Sequence, residues 1–155
     1  VKARARALVP GVPALLPSYA SLDDPVAPLR AACLSAVGEL GPRVRVVASG
    51  PSGRRVGAAL AAAVGAVVVD ADETGTLVVG NGSATRTEKA PGHLDERAAG
   101  FDAALRASFD DIDLALADEL WADVTCLVGL PPLADGDVRY DDAPYGVQYW
   151  VAVWG

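Results

Sequence analysis

The sequence predicts an α/β protein: an α/β/α sandwich around a central mixed, mostly parallel sheet, in a single domain over residues 1–155. Three observations lead there. Short runs rich in β-branched residues, such as Val44, Val46 and Val47 or Leu77, Val78 and Val79, alternate with longer stretches of helical spacing. Those runs are apolar at successive positions, as strands covered on both faces must be. The last runs, 138–140 and 147–154, flank a turn and read as an antiparallel hairpin at one side of the sheet. No internal repeat or low-complexity linker divides the chain.

Taken in order, residues 5–8 form a short strand entering a turn over 10–17, where Pro10, Pro13 and Pro17 forbid a continuous helix. Asp23-Asp24-Pro25 places acids and a proline in the first turn of a helix. Val26, Leu29, Cys33, Leu34, Val37 and Leu40 recur along it at spacings of three and four, and Gly41-Pro42 stops it. The strand of Val44, Val46, Val47 and Ala48 runs into Ser49-Gly50-Pro51-Ser52-Gly53, after which 54–64 is helical. Residues 66–69 and 76–79 pair as a hairpin, or 57–69 is one buried helix and 77–79 the next parallel strand; we favour the second. A polar loop covers 80–94. Asp95 then opens a helix carrying Ala98, Phe101, Leu105 and Phe109, and another begins near Asp110-Asp111 with Leu114, Leu116 and Leu120. Residues 121–130 continue as an apolar helix before Pro131-Pro132, and a turn over 141–146 joins the closing strands.

Composition excludes several classes. With 52% apolar and only 21% charged residues the chain folds rather than remaining disordered. A net charge of −7 argues against a nucleic-acid or anionic-membrane surface, since phosphate binding needs clustered cations. Lys2, Arg4 and Arg6 before an apolar stretch and Ser18-Tyr19-Ala20 imitate a secretory signal, but the three prolines spoil its helix. No run reaches the ~18 apolar residues of a membrane helix. Cys33 and Cys126 lack metal-site or CxxC spacing and read as buried thiols of a reducing, cytoplasmic compartment. Dominance of Ala, Gly, Val, Arg, Pro and Asp, with Lys only at 2 and 89, indicates a GC-rich bacterial origin. With no Met, the chain has lost its initiator or is part of a longer one.

The usual catalytic signatures are missing. His93 is the one histidine, so triads, Cys-His pairs and two-His metal sites lack partners. GNGSAT at 80–85 has no third glycine of a dinucleotide fingerprint, and SGPSGRR at 49–55 no P-loop lysine. The turn at 49–53 still presents backbone N–H groups at a helix start beside Arg54 and Arg55; it binds an anion or is simply a tight turn. The loop from Gly80 to His93 lies where an α/β sheet binds its ligand, or is a surface Ω-loop whose Arg86, Glu88 and Lys89 pair with one another. His93 reads more readily as a loop or helix-start residue than as a ligand. Asp141 and Asp142 supply carboxylates to a site or close an Asx-type turn.

ALVPGVPALLP near the start, GNGSATRTEKAPGHLDERAAGFDAAL in the middle and YDDAPYGVQYWVA at the end resemble, in that order, the class III extradiol ring-cleaving dioxygenase superfamily. The resemblance is strongest to its small bacterial beta-subunit-like proteins, relatives of the Memo-like proteins. It implies an α/β/α sandwich and, in working members, a non-haem Fe(II) held by two histidines and a glutamate, with a further histidine as acid/base while O₂ cleaves a catechol. Carried over residue by residue, that chemistry is missing: Gly11 stands where the first ligand histidine would be, Ser49-Gly50-Pro51-Ser52 holds no imidazole, and Ala84 replaces the acid/base histidine.

The expectation is therefore a degenerate relative with no metal and no cofactor, without ring-cleaving activity, that binds a small anionic molecule or a protein at the old cleft. Ser49, Gly50, Ser52, Gly82, Ser83, Arg86, Lys89, His93, Asp142 and Tyr145 would line it. One alternative is a metal-independent hydrolase or lyase using Asp141 or Asp142 as base, with His93 a weaker candidate and Arg86 or Lys89 on an oxyanion. Another is a structural subunit pairing with a second chain, its own copy included, through Tyr149, Trp150 and Trp154. The 141–149 segment is expected to pack against the GNGSATR loop at one mouth.

Overall fold

The computed structural model describes residues 4–17, 24 and 26–155; Lys2, the segment 18–23 and Pro25 lie outside them. Six strands, β1 (Ala5–Val9), β2 (Arg43–Ala48), β3 (Val67–Val68), β4 (Gly75–Val79), β5 (Asp137–Asp142) and β6 (Tyr149–Trp154), form one mixed sheet in the order β3-β2-β4-β1-β6-β5. The β1–β4, β2–β4 and β2–β3 pairs are parallel, while β6 runs antiparallel to both β1 and β5. The predicted α/β class and closing hairpin both stand.

Period-two alternation divides the core into two layers. Ala7 and Val9, Leu77 and Val79, and Val44 and Val46 face α1 (Ala27–Gly38) and α2 (Pro51–Ala63), which contribute Leu29, Cys33, Val37, Val56 and Leu60. Leu8, Val78, Trp150, Ala152 and Trp154 face the other way, onto Phe101 and Leu105 of α3 (Ala98–Ala107) and Ala117 of α4 (Leu114–Glu119). Phe109, just beyond α3, meets Trp150 edge-to-face at 6.3 Å. Strand β6 is buried at all six positions, so it lies inside the molecule although it belongs to a hairpin.

The start of α1 is fixed by Asp24, which accepts from Val26 N–H and binds Arg30 Nε at 2.7 Å, while Arg30 also donates to the Ala14 and Leu15 carbonyls. One cation thereby ties the helix to the proline-rich turn. Gly41, at φ +84°, turns the chain between the end of α1 and β2 in a backbone state that glycine adopts without strain.

Four readings need correction. Residues 57–69 are not one helix: α2 stops at Ala63, Gly65 turns left-handed, and Val67-Val68 emerge as β3. Nor is there a hairpin, since β3 pairs with β2 and not with β4. Residues 121–130 are not a helix either. Helix α4 is short, begins only at Leu114 with Asp113 accepting from Leu116 N–H, and ends before Trp121, which takes φ +59°. A 3₁₀ turn, Thr125–Leu127, is all that follows before the prolines. Of the thiols, Cys33 is buried but Cys126 is partly exposed.

Candidate functional site

Strand β1 leaves the sheet toward α1, and its neighbour β4 leaves toward α3 on the opposite face. Outside the carboxyl ends of two such strands the connections part and open a crevice, the usual ligand position of an α/β sheet. Its walls are close-set. A Cβ placed on Gly11 would stand 3.2 Å from Val79 Cγ1, 3.7 Å from Gly53 Cα and 3.9 Å from Asp123 Oδ2. Asp123 is held there by reciprocal backbone hydrogen bonds to Asn81, both 3.0 Å, and its Oδ1 accepts from Ser49 Oγ at 2.6 Å. Gly50 caps α2 from an extended backbone, which leaves Ser52 exposed in the helix's first turn beside Arg54. Cys126 sits within electrostatic reach of Asp123 and Arg54; burial and the Asp123 carboxylate raise its thiol.

A second group occupies the same end of the sheet, farther along it. Ser83 and Asp102 are fully buried. Asp102 accepts from Ser83 N–H (2.8 Å), Ser83 Oγ (2.6 Å) and Arg86 Nη1 (3.3 Å), and Arg86 Nη1 also donates to Gln148 Oε1 at 2.9 Å. Gln148 Nε2 donates to Asp141 Oδ1, whose carboxylate is gripped by Arg106 through two bonds of 2.8 Å. Those bonds hold the Asp141 carboxyl below its ordinary range. The Arg106 guanidinium lies 5.8 Å from the Trp150 ring centroid, completing a network from loop to hairpin. Trp150 Nε1 makes no hydrogen bond of good geometry and helps lower Asp141 only weakly.

The loop and the hairpin turn do pack together. Gly82 N–H donates to Gln148 O, Gln148 N–H to Ser83 O and Arg86 N–H to Gly146 O, at 2.9–3.0 Å. Gly82 has no room for a side chain, since a Cβ would lie 2.6 Å from Asp102 Oδ1. Lys89 and Tyr145 line an open depression of ≈ 450 Å³ with Thr87, Glu88 and Pro144. His93 is exposed at φ +59°, its Nδ1 3.4 Å from Glu88 O, and joins neither group. Asp142 accepts from Ala143 N–H in a local turn. The expected lining therefore separates: Ser49, Gly50 and Ser52 belong to the crevice, Gly82, Ser83 and Arg86 to the buried network, Lys89 and Tyr145 to the depression. From β2 to β5 is four strand spacings, roughly 19 Å.

Sequence reasoning passed over Asp102, Asp123, Arg106 and Gln148. Asp102 carried a usable signal, because it shares a helical face with Ala98, Phe101 and Leu105, and a carboxylate there needs partners. Asp123 carried none, being one acid in an apolar run.

The positions that the family resemblance assigns to iron ligands do not fit Fe(II). Gly11 and the 49–52 turn meet at the crevice with one carboxylate, Asp123, while Ala84, at the place of the acid/base histidine, is buried without a donor side chain. Among the described residues no three His, Cys, Asp or Glu side chains are placed to hold a metal. Among them, too, no helix is long and apolar enough to cross a membrane. No protein-family model matches the chain, and no curated protein matches it.

Proposed function

We propose that this chain is a metal-free relative of the class III extradiol dioxygenases that binds a small anionic molecule in the crevice between β1 and β4. The observation that carries the reading is the convergence of Gly11, Gly53, Ser49 and Asp123 at the point where the two connections part. Arg54 and the first turn of α2 supply the positive potential that an acid needs on a protein of net charge −7. Asp123 adds an acceptor, so the fitting ligand carries both an acid group and a hydrogen-bond donor, as hydroxy acids and amino acids do.

A hydrolase using Asp141 has less support, because Arg106 lowers that carboxyl and makes it a weaker base. The pairing-subunit reading loses its motive as well, since Tyr149, Trp150 and Trp154 are buried within the monomer.

The test is a thermal-shift screen of small hydroxy and amino acids, repeated on Arg54→Ala and Asp123→Asn. A saturable rise in Tm that both substitutions abolish supports the crevice. No shift with any acid at millimolar concentration, or one that both variants keep, removes it.

A further inference from the structure

The helical layer formed by α3 and α4 covers only part of its face of the sheet. Its apolar cluster takes Leu8 from β1 and Val78 from β4, one residue from each, and nothing from β2 or β3. Among the described residues, the amino-terminal half of that face carries no helix. What the strands present there follows from alternation: Val44 and Val46 point into the opposite layer, so Arg43 and Arg45 point out, and Arg6 and Thr76 share the face of Leu8 and Val78. Arg6 and Arg45 both pair in register with Thr76, one from each side, which sets their Cα atoms roughly 10 Å apart. Arg4, exposed at 61%, extends the row on β1. Four arginines thus stand on one open sheet face of a protein whose remaining surface is strongly acidic.

One carboxylate already uses this face. Glu73 binds Arg4 Nη1 at 3.2 Å, and its carboxyl is lowered by its own backbone N–H and by the charges of Arg4 and Arg45. Arg6, Arg43 and Arg45 take part in no ion pair among the described residues, unlike Arg30, Arg86, Arg97, Arg106 and Arg139.

We propose that this face docks an acidic, extended segment of another protein. Arginine forks grip carboxylates through paired hydrogen bonds. Arg43 and Arg45 repeat at about 6.7 Å, the spacing of alternate side chains in any extended chain, so carboxylates at every second residue meet them in step. A long polyanion such as a nucleic acid fits worse: it would run beyond the patch over acidic surface, and the face offers Thr76 and Val47 rather than an aromatic stacking platform. The face lies at the end of the strands opposite the crevice, so the two sites are independent.

The probe is a fluorescein-labelled decapeptide of alternating Glu and Thr, titrated by anisotropy and by amide chemical shifts. The expected result is salt-sensitive, saturable binding with shifts at Arg6, Arg43, Arg45 and Thr76, weakened roughly tenfold in Arg43→Glu/Arg45→Glu. If that pair fails to fold by circular dichroism, Arg43→Gln/Arg45→Gln serves, with a smaller loss in the same direction. The proposal is overturned if the peptide does not bind, if its shifts map elsewhere, or if both double variants bind it unchanged. It is overturned equally if a single-stranded oligonucleotide binds this face more tightly than the peptide. Sedimentation showing self-association that the double variant abolishes would assign the face to a second copy of this chain instead.

Discussion

Truncating Asp102 to alanine removes the acceptor around which the loop and hairpin are organised. Ser83 donates both its N–H and its hydroxyl to this carboxylate, and Arg86 adds a third donor at 3.3 Å, in a place with no solvent access to Asp102 itself. A hydrogen bond to a charged group contributes about 1.5–3 kcal/mol, and breaking a buried pair by deleting one partner costs about 3–5 kcal/mol. The donors share one acceptor, so these figures do not add, and the expected loss for Asp102→Ala is about 4 kcal/mol. Against a typical stability of about 5–15 kcal/mol that is a large fraction, and with a urea slope near 2 kcal/mol per molar it lowers the midpoint by roughly 2 M. Trp150 reports the transition by fluorescence, since it packs on Phe109 and under Arg106. Asp102→Asn, which keeps one acceptor oxygen, should lose about half as much. A loss below about 1 kcal/mol for Asp102→Ala would refute the reasoning, because Ser83 and Arg86 would then have found other partners at no cost.

Gly57→Ala should destabilise the protein by about 1–3 kcal/mol in denaturant melts, although alanine is the better helix former, because its Cβ would stand 2.6 Å from Val46 Cγ1 and 3.2 Å from Val79 Cγ2. A stabilised variant would mean that α2 sits farther from the sheet than described. Burial raises the Cys33 thiol from its ordinary 9.0 to about 12, so the folded state favours the protonated thiol; stability is complete below pH 9 and falls as pH rises toward 12. Cys33→Ala should flatten that alkaline decline in pH-dependent unfolding curves, and in the native wild type only Cys126 should react with a thiol reagent at pH 8. His93→Gly should leave stability unchanged or raise it by up to about 1 kcal/mol, because φ +59° suits glycine and the ring is exposed. A marked drop in Tm would show that the imidazole holds the loop.

Much of the architecture was legible because local signals agreed with the final packing. Asp24 and Gly41-Pro42 bracket α1, and the valine run of β4 is buried on both faces as a continuous apolar strand should be, whereas β2 alternates buried valines with exposed arginines and is covered on one face along its first half. What failed had a tertiary cause. Strand β3 is two exposed valines whose only reason to be strand is the neighbouring edge of β2, and no local pattern encodes a neighbour. Residues 121–130 look helical in composition, yet Trp121 turns left-handed so that Asp123 can bridge Asn81, a pairing invisible without the fold. The candidate site was legible by place rather than by partnership. The loop and hairpin were rightly set side by side, but Arg86, expected at a ligand, is engaged by Asp102, a residue read only as part of a helix.

The position of β6 has a bearing on how the chain is made. Strand β1 leaves the ribosome before the other strands of the sheet, and it finds β4 as soon as residues 75–79 follow. Its other edge, however, waits for Tyr149–Trp154. At 5–20 residues per second the interval between Val79 and Tyr149 lasts roughly 4–14 s. Throughout it the nascent sheet displays an unpaired β1 edge, and until α3 and α4 follow it also bares Leu8 and Val78, both open to mispairing with neighbouring chains. The late arrival of β6 is therefore the step at which a chaperone would most affect yield, and at which substitutions in β6 would reduce soluble protein more than they reduce the stability of molecules already folded.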